Sequence, residues 1–520
     1  MGASPTGKTE VLVVGAGPTG LVLALWLIRL GVRVRIIDKT AVSAATSRAL
    51  AVQARTLEFY RQIGLAEAVL AAGREVDTLN FWASGNKVAR AELRNIGEGL
   101  SPYPFPLIYP QDEHEALLIE TLASRGLSVE RHIELLDFTD TDAGVRARLK
   151  GHDGRIELCD AAYIAGCDGA HSAVRECLQI GFLGGTYQHV FYVADVQAQG
   201  PPVDGGLHVG LDRTDFLALF PLKADGHVRL VGALKEDVPG ASEGLAWNDV
   251  NRRVLDWMHL QVGQVNWFST YRVHHRVATR FQKGHAFLLG DAAHIHSPVG
   301  GQGMNTGIGD AVNLAWKLAS VLQTRGHLSL LDSYETERIA FARRLVSTTD
   351  RAFTVVTSST PVARVIRLKL LPILFSRVLR FRAPRRFLFR TVSQIKVSYR
   401  SCELNAGRAG SVRGGDRLPY VEFCADGKDN FSRLDGLGWQ AHVYGEATPA
   451  LRTACLEQCC PLYTFTWQSA MSGMGLRRNA LYLVRPDGYV GLADPQGSAQ
   501  ALSAYMAKHG IVCSKGGPWS

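Results

Sequence analysis

No two of the nine cysteines in this 520-residue chain are spaced C-x-x-C, and none falls in a zinc-ligand pattern. They stand at positions 159, 167, 177, 402, 424, 455, 459, 460 and 513. An odd, scattered set predicts reduced thiols and a cytoplasmic protein, not a disulfide framework. Neither a signal peptide nor a membrane anchor is expected from the apolar run near the start. Val11 to Leu30 is mostly apolar, but Gly15, Gly17, Pro18 and Gly20 break it, and basic strand residues follow in place of a cleavage site. Acidic residues are absent from Arg351 to Cys402, while Arg364 to Arg400 holds eleven Lys and Arg. That segment is apolar as well as basic. It reads either as a helix packed with its arginines in water or as weak contact with an anionic membrane surface. No internal repeat is visible.

What is present is ordinary in bulk. Hydrophobic residues make up 46% and charged residues 20%, so sizeable cores and more than one domain are expected at this length. The net charge of +9 favours anionic ligands, whether nucleotides, nucleic acid or acidic lipid.

The motifs are more specific. Val11 to Val14 predicts a buried strand, followed by Gly15, Gly17 and Gly20 in G-x-G-x-x-G spacing. An apolar helix then runs to about Leu30, and Val32 to Ile37 forms a second strand closed by Asp38. This is the dinucleotide fingerprint in its strand–turn–helix–strand context, with the acid placed for adenosine ribose hydroxyls. Arg48 and Arg55 follow as cations expected at the surface, and Asp112 is the expected N-cap of a helix with Gln111 just outside it. Asp168 or Ser172 could cap the short helix that contains Arg175.

A second signature lies from Gly290 to Asn305. A short apolar strand, Ala286 to Leu289, leads into a Gly-rich loop. Ile308, Val312, Ala315, Leu318, Ala319 and Leu322 then mark the core face of a helix. Such a loop brings backbone N–H groups close to an anion, and the helix adds roughly half a positive charge. Asp291, just past the strand, can accept hydrogen bonds from a polyol. Between the two signatures, Val190–Val196, Phe216–Pro221, Val228–Leu234 and Ser269–Val277 predict an inserted sheet. A small α/β unit is expected from about 405, with a strand at Gln440–Tyr444, a hairpin turning at Pro486-Asp487-Gly488 and a closing helix.

In this order, Gly15 to Gly20, Asp168 with Gly169 and Arg175, and Gly290-Asp291 with the Pro298 to Asn305 loop, the chain resembles the single-component flavoprotein aromatic hydroxylases. Within them it is similar to the phenol and aromatic-polyketide hydroxylases with a thioredoxin-like C-terminal domain. The resemblance implies an α/β fold. A discontinuous Rossmann-like FAD domain would span 1–185 and 281–400. A mixed-sheet substrate domain would span 186–280 with about 79–100, and a thioredoxin-like domain 405–520. It implies FAD as cofactor, NADPH or NADH as co-substrate, and O2 and an aromatic small molecule as partners. No nucleic-acid partner is implied, and a homodimer is left open.

Residue by residue, Gly15, Gly17, Pro18, Thr19 and Gly20 would carry the pyrophosphate turn. Asp38 and Lys39 would lie at the adenosine ribose, Arg48 near the pyrophosphate, Gln111 at the ribityl chain and Leu135 near adenine. Asp168 and Arg175 match a motif linked to both FAD and the nicotinamide nucleotide. Asp291 would hold the ribityl hydroxyls, Pro298 would line the flavin ring, and Gly303, Met304 and Asn305 would present amides to its pyrimidine end. The chemistry implied is hydroxylation through a flavin C4a-hydroperoxide. Baeyer–Villiger oxidation, epoxidation and non-catalytic sequestering of an aromatic ligand are the alternatives, and no catalytic base is assigned. His208, Tyr187 and His275 are weighed as substrate neighbours but read as core or surface residues. His294/His296 and His274/His275 lack a metal-ligand spacing, so no metal is expected.

Overall fold

The computed structural model describes residues 4–513, apart from 43–48, 84, 212–215, 235–245, 251, 298–299, 358–380 and 424–427. The central sheet runs Gln282–Lys283, Ala286–Leu288, Ile156–Gly166, Ser4–Val14, Val34–Asp38 and Glu130–Arg131. Its inner strands are parallel. Parallel strands are covered on both faces, which is why Val11, Leu12 and Val13 can all be apolar and fully buried. The helices Pro18–Arg29 and Gly303–Leu322 supply much of that cover. A hairpin of Glu134–Thr141 and Gly144–Lys150 continues from Ile156–Gly166.

The second sheet has eight strands. In order they are His294–Ile295, Gln261–Ala278, Phe182–Gln199, His227–Leu234, Phe216–Pro221, Leu207–Leu211, Thr78–Ala83 and Asn86–Glu92. Strand alternation gives its two faces different work. Tyr192, Ala194 and Val196 share one face with Phe268 and pack under the helix Arg253–Trp257 through Val254 and Leu255. The neighbours Phe191, Val193 and Asp195 point the other way. Their register partners Tyr271, Ser269 and Trp267 on one side, and Arg229 on the other, share that second face.

The third sheet, of six strands, runs Val412–Arg413, Ala406–Ala409, Val490–Asp494, Leu481–Val484, Gln440–Tyr444 and Leu462–Phe465. The turn at Pro486-Asp487-Gly488 joins its central hairpin, closed by Gly488 N–H to the Arg485 carbonyl at 2.9 Å. Two helices, Pro449–Glu457 and Ala499–His509, pack on it. A small three-stranded sheet of Ala51–Val52, Leu107–Ile108 and Arg74–Glu75 completes the set among the described residues.

Two local expectations are corrected, and a third falls partly outside the described residues. The helix after Tyr109 spans Gln111–Ser124 with Pro110 as N-cap, so Gln111 is inside it and Asp112 is a first-turn acid, not the cap. Pro110, with its fixed φ, starts the helix two residues earlier than an Asp112 cap would. Arg55 is not a surface cation: it is buried, pairs with Glu58 at 2.8 Å and donates to the Asp487 carbonyl at 2.6 Å. That carbonyl belongs to the C-terminal unit, a contact no local pattern encodes. Of the basic segment 364–400, the part 364–380 lies outside the described residues. The rest includes the helix Arg382–Val392, where Phe389 is buried while Phe381 and Phe387 are exposed.

Candidate active site

Parallel strands deliver their C-terminal ends to one edge of a sheet, and ligands of open α/β sheets bind there. Here Ser4–Val14 ends in the glycine turn and Ala286–Leu288 ends in the Gly290–Asp291 turn, with Ile156–Gly166 between them leading to Cys167 and Asp168. All three sequence motifs therefore converge on one edge.

Gly15 has φ +101°, and a Cβ there would overlap the Cys167 carbonyl, so only glycine makes this turn. Gly20 lies against the Gly15 carbonyl and allows no side chain either. Gly17 differs: a Cβ would meet nothing within 4 Å. It is the N-cap of Pro18–Arg29 and makes no side-chain cap, so the first N–H groups of that helix have no side-chain acceptor there. Asp38 braces the turn. Its carboxylate accepts from Ala16 N–H at 2.7 Å and Thr40 N–H at 2.8 Å. Lys39 beside it is exposed. Leu135 is buried two residues beyond Ile133, whose N–H donates to the Asp38 carbonyl at 3.0 Å.

Thr19 links the first motif to the last. Its hydroxyl fits where a Cβ on Gly307 would overlap it, and it also packs against Gly290. Gly307, within the helix Gly303–Leu322, was not singled out from sequence; its only signal there is a glycine inside an apolar helical pattern. Arg175 links the second motif to the last by donating to the Ala292 carbonyl at 3.0 Å and the Ala170 carbonyl at 2.8 Å. Burial lowers its pKa from the ordinary arginine value, with Asp168 opposing. Both candidate caps of the Ala173–Cys177 helix act: Ser172 Oγ accepts from Arg175 N–H and an Asp168 oxygen from Val174 N–H. Burial raises the Asp168 carboxyl, and its Oδ1 has no hydrogen-bond partner.

Asp291 is exposed, whereas Gly290, Ala292 and Ala293 around it are buried. The turn is held from below by Asp310, which accepts from Gly290 N–H at 3.0 Å, His294 Nε2 at 2.7 Å and Arg338 Nε at 2.5 Å. Burial alone would raise the Asp310 carboxyl, but Arg338 and then His294 hold it below its ordinary value. His296 hydrogen-bonds the Ser297 carbonyl through Nδ1, its Nε2 is buried without a partner, and burial pushes its pKa down to about 4.

The helix Gly303–Leu322 starts with Gln302 as an N-cap that makes no side-chain cap bond. Met304 is half-buried at its mouth. The Asn305 side chain is spent on the fold: it accepts from Gln53 N–H at 2.9 Å and Thr56 at 2.7 Å and donates to Ala51 and Gly301 carbonyls at 2.8 Å each. Gln111 is tied similarly: its side-chain amide donates to Glu115 at 2.7 Å, its Oε1 accepts from Ala49 N–H at 3.4 Å, and its backbone N–H donates to the Ala49 carbonyl at 3.0 Å. Arg48 and Pro298 lie outside the described residues.

The second sheet attaches to this edge directly, because Arg276 and Val277 pair with Ile295 and His294. Its Phe191–Tyr271 pair, with ring centroids 5.9 Å apart, and Trp267, under Arg229, lie on the face opposite the Tyr192 cluster. Arg229 forms a buried two-bond pair with Asp195, both bonds 2.6 Å, and its Nη1 lies 3.5 Å from the Ala49 carbonyl of the nucleotide unit. Sequence reasoning missed this pair. His208 is core: Trp82 donates to its Nδ1 at 2.8 Å and Asp204 faces its Nε2 at 2.7 Å. Tyr187 lies against His275, with ring centroids 4.7 Å apart and planes tilted by 56°. Among the described residues, no group of three His, Cys, Asp or Glu is placed to hold a metal ion.

A sequence profile described as an FAD binding domain matches residues 8–349. The 12-dehydrotetracycline 5-monooxygenase/anhydrotetracycline 6-monooxygenase of Streptomyces rimosus subsp. rimosus is 30% identical over 504 residues, 93% of this chain and 95% of that protein. The chain belongs to the FAD-dependent aromatic hydroxylase family. The 6-methylpretetramide 4-monooxygenase of Streptomyces rimosus is 39% identical over 362 residues, 68% of this chain. The chain spans 64% of the length of that relative. Among solved structures, the OxyS anhydrotetracycline hydroxylase from Streptomyces rimosus superimposes with a TM-score of 0.77 at 27% identity, covering 97% of this chain and all of that one. FAD is the cofactor of this family, and the site suits it. The open approach at Gly17, two helix N-termini without side-chain caps and the orphaned Asp168 Oδ1 match a long, anionic, hydrogen-bonding ligand.

Proposed function

We propose that this protein is a monooxygenase that uses NADPH or NADH and O2 to hydroxylate a phenolic or polycyclic aromatic compound. The observation that carries the reading is the aromatic face of the second sheet: Phe191, Tyr271 and Trp267 share the face from which Arg229 reaches the nucleotide unit. Relatives support it by their names, which include pentachlorophenol 4-monooxygenase of Sphingobium chlorophenolicum, 35% identical over 353 residues.

FAD held at the sheet edge would supply the redox chemistry, hydride acceptance from the nicotinamide and O2 activation for transfer of one oxygen atom to the ring. The chain's own residues do the rest. Gly15 to Gly20 and the helix behind them receive the pyrophosphate, with Asp38 and Lys39 at the adenosine ribose and Leu135 near adenine. Asp291 accepts from ribityl hydroxyls, with Gln111 nearby. The N–H groups of Gly303, Met304 and Asn305 present positive charge where negative charge gathers on the pyrimidine end. Asp168 and Arg175 brace the turn beside that site. The aromatic face excludes water and stacks a planar substrate. A phenol activates its own ring, so no protein base is required.

The test is anaerobic flavin reduction by NADPH with and without a panel of phenols and polycyclic phenolic ketones. Acceleration by one class, with a product gaining one hydroxyl in air, is the expected result. A ring-expanded lactone or an epoxide would reassign the oxygen transfer. No nicotinamide consumption with any compound would mean a ligand-sequestering flavoprotein.

A further inference from the structure

The Gly303–Leu322 helix opens the flavin edge at its start and meets the C-terminal unit at its far end. A cavity of about 160 Å³ lies at that junction. It is bounded by Trp316 of the helix, by Arg325 just after it, and by Arg433, Trp439, Gln440 and Tyr463 of the C-terminal unit. From Gly303 to Trp316 the helix rises ~20 Å, at ~1.5 Å per residue, so the cavity is separate from the flavin edge. An apolar cavity of about 150 Å³ takes up one benzene molecule, so this one has room for a single substituted ring.

The apolar part of the wall is aromatic. Trp316 and Trp439 are buried and meet edge to face, with ring centroids 5.7 Å apart. Tyr463 beside them is half-buried. A flat ring packs against such walls edge-on or offset.

The polar part offers donors and positive charge. No Asp or Glu lines the cavity. The Arg433 guanidinium lies over the Tyr463 ring at 5.2 Å, and it forms no ion pair among the described residues. The Arg325 side chain forms none there either; its backbone N–H donates to the Ser320 carbonyl at 2.7 Å. Gln440 is 3% exposed. Its Oε1 accepts from His442 Nε2 at 3.1 Å, while its amide nitrogen has no hydrogen-bond partner among the described residues. A buried amide donor without a partner is rare and costly, and a ligand acceptor in the cavity would satisfy it. The helix end does not oppose an anion with bare acceptors. The carbonyls of Ala319, Ser320 and Val321 accept from the N–H groups of Gln323, Arg325 and Thr324. The Asp487 carboxylate that accepts from Trp316 Nε1 is paired with Arg485.

We propose that this cavity binds a monocyclic aromatic carboxylate, of the benzoate class. The ring lies against Trp316, Trp439 and Tyr463. The carboxylate is met by the guanidinium groups of Arg325 and Arg433 and by the Gln440 amide, in charge-assisted hydrogen bonds. The occupant touches both the long helix and the C-terminal unit, so its binding raises the melting temperature of the whole protein. The assignment does not rest on the oxygenation chemistry proposed for the flavin edge.

The probe is para-fluorobenzoate, followed by fluorine NMR on the FAD-loaded protein. Benzoate should displace it, whereas benzamide and inorganic phosphate at equal concentration should not. The double variant Arg325→Gln with Arg433→Gln should raise the Kd about ten-fold or more and leave the flavin absorbance unchanged. Neither arginine is ion-paired among the described residues, so without ligand the variant should melt as the parent does. Gly436 also lines the cavity, and a Cβ there would meet nothing within 4 Å. Gly436→Phe should therefore fill the space and block the probe. Phosphate displacing the probe as well as benzoate does would reduce the site to a general anion contact. An unchanged Kd in both variants, or a flavin spectrum perturbed by the probe, would place the ring at the flavin edge. Either result, or no binding of the probe, overturns the assignment.

Discussion

Two glycines two positions apart in one loop should fail differently when substituted. At Gly17 the backbone angles are ordinary and the space is open, so Gly17→Val should leave the apoprotein folded and abolish FAD retention. Gly15→Ala, at φ +101° and against Cys167, should lower the melting temperature of the apoprotein itself. Melting curves and bound-flavin absorbance on both variants separate the effects; a Gly17→Val protein with normal flavin content would refute the phosphate placement. Asp291→Ala should weaken FAD by ~1 kcal/mol or more through lost hydrogen bonds, read as a higher Kd in flavin titration. At this scale the sequence was a good guide to residue type. It did not give the contacts each side chain makes within the protein: the side chains of Asn305 and Gln111 are bonded to neighbouring segments, and the Arg229–Asp195 pair joins strands that local pattern cannot align.

Helices and turns are joined by buried charge. Glu337 accepts from Arg485 Nη1 at 2.6 Å, Lys317 Nζ at 2.9 Å and Asn313 Nδ2 at 2.7 Å, all in the interior. Arg485 also grips Asp487, and Asp487 accepts from Trp316 Nε1 at 3.1 Å. The network fastens the turn of the C-terminal hairpin to the helix whose other end opens the active site. Arg485→Met removes the cation that Glu337 and Asp487 share in the interior, and should destabilise the fold by about 3–5 kcal/mol in denaturant titration. A loss below about 1 kcal/mol would mean that the interface does not depend on this network. Element type and order were legible in advance because apolar periodicity and glycine spacing are local. Helix starts were less so: Pro110 fixes a backbone angle that displaces the expected Asp112 cap.

For the whole molecule, acid should act early. Burial pushes His114 and His442 down to about 3 and His296 to about 4. The unfolded chain then binds protons below about pH 6.5 that the native state refuses, so stability rises with pH across that window and is lost as pH falls. At pH 5 each such histidine costs about 2 kcal/mol. Asp310 and Glu337 are held low instead; their contribution is present above the ordinary carboxylate range and disappears only in stronger acid. Denaturant unfolding from pH 7 to 5 should therefore show a steep slope, and His442→Gln should flatten it by about one proton. An unchanged slope would exclude His442 as a contributor.

By itself, the sequence determined the family, the cofactor and the strand–turn–helix units, because fingerprint spacing, helical period and strand alternation are properties of neighbouring residues. The tertiary structure alone decided how these units meet. Thr19 meets Gly290 and Gly307, Asp310 holds the Gly290 turn, Asp195 pairs with Arg229, and Glu337 joins Lys317 to Arg485. Each joins residues far apart in the chain, and such contacts are set by how sheets and helices pack, which no local pattern encodes.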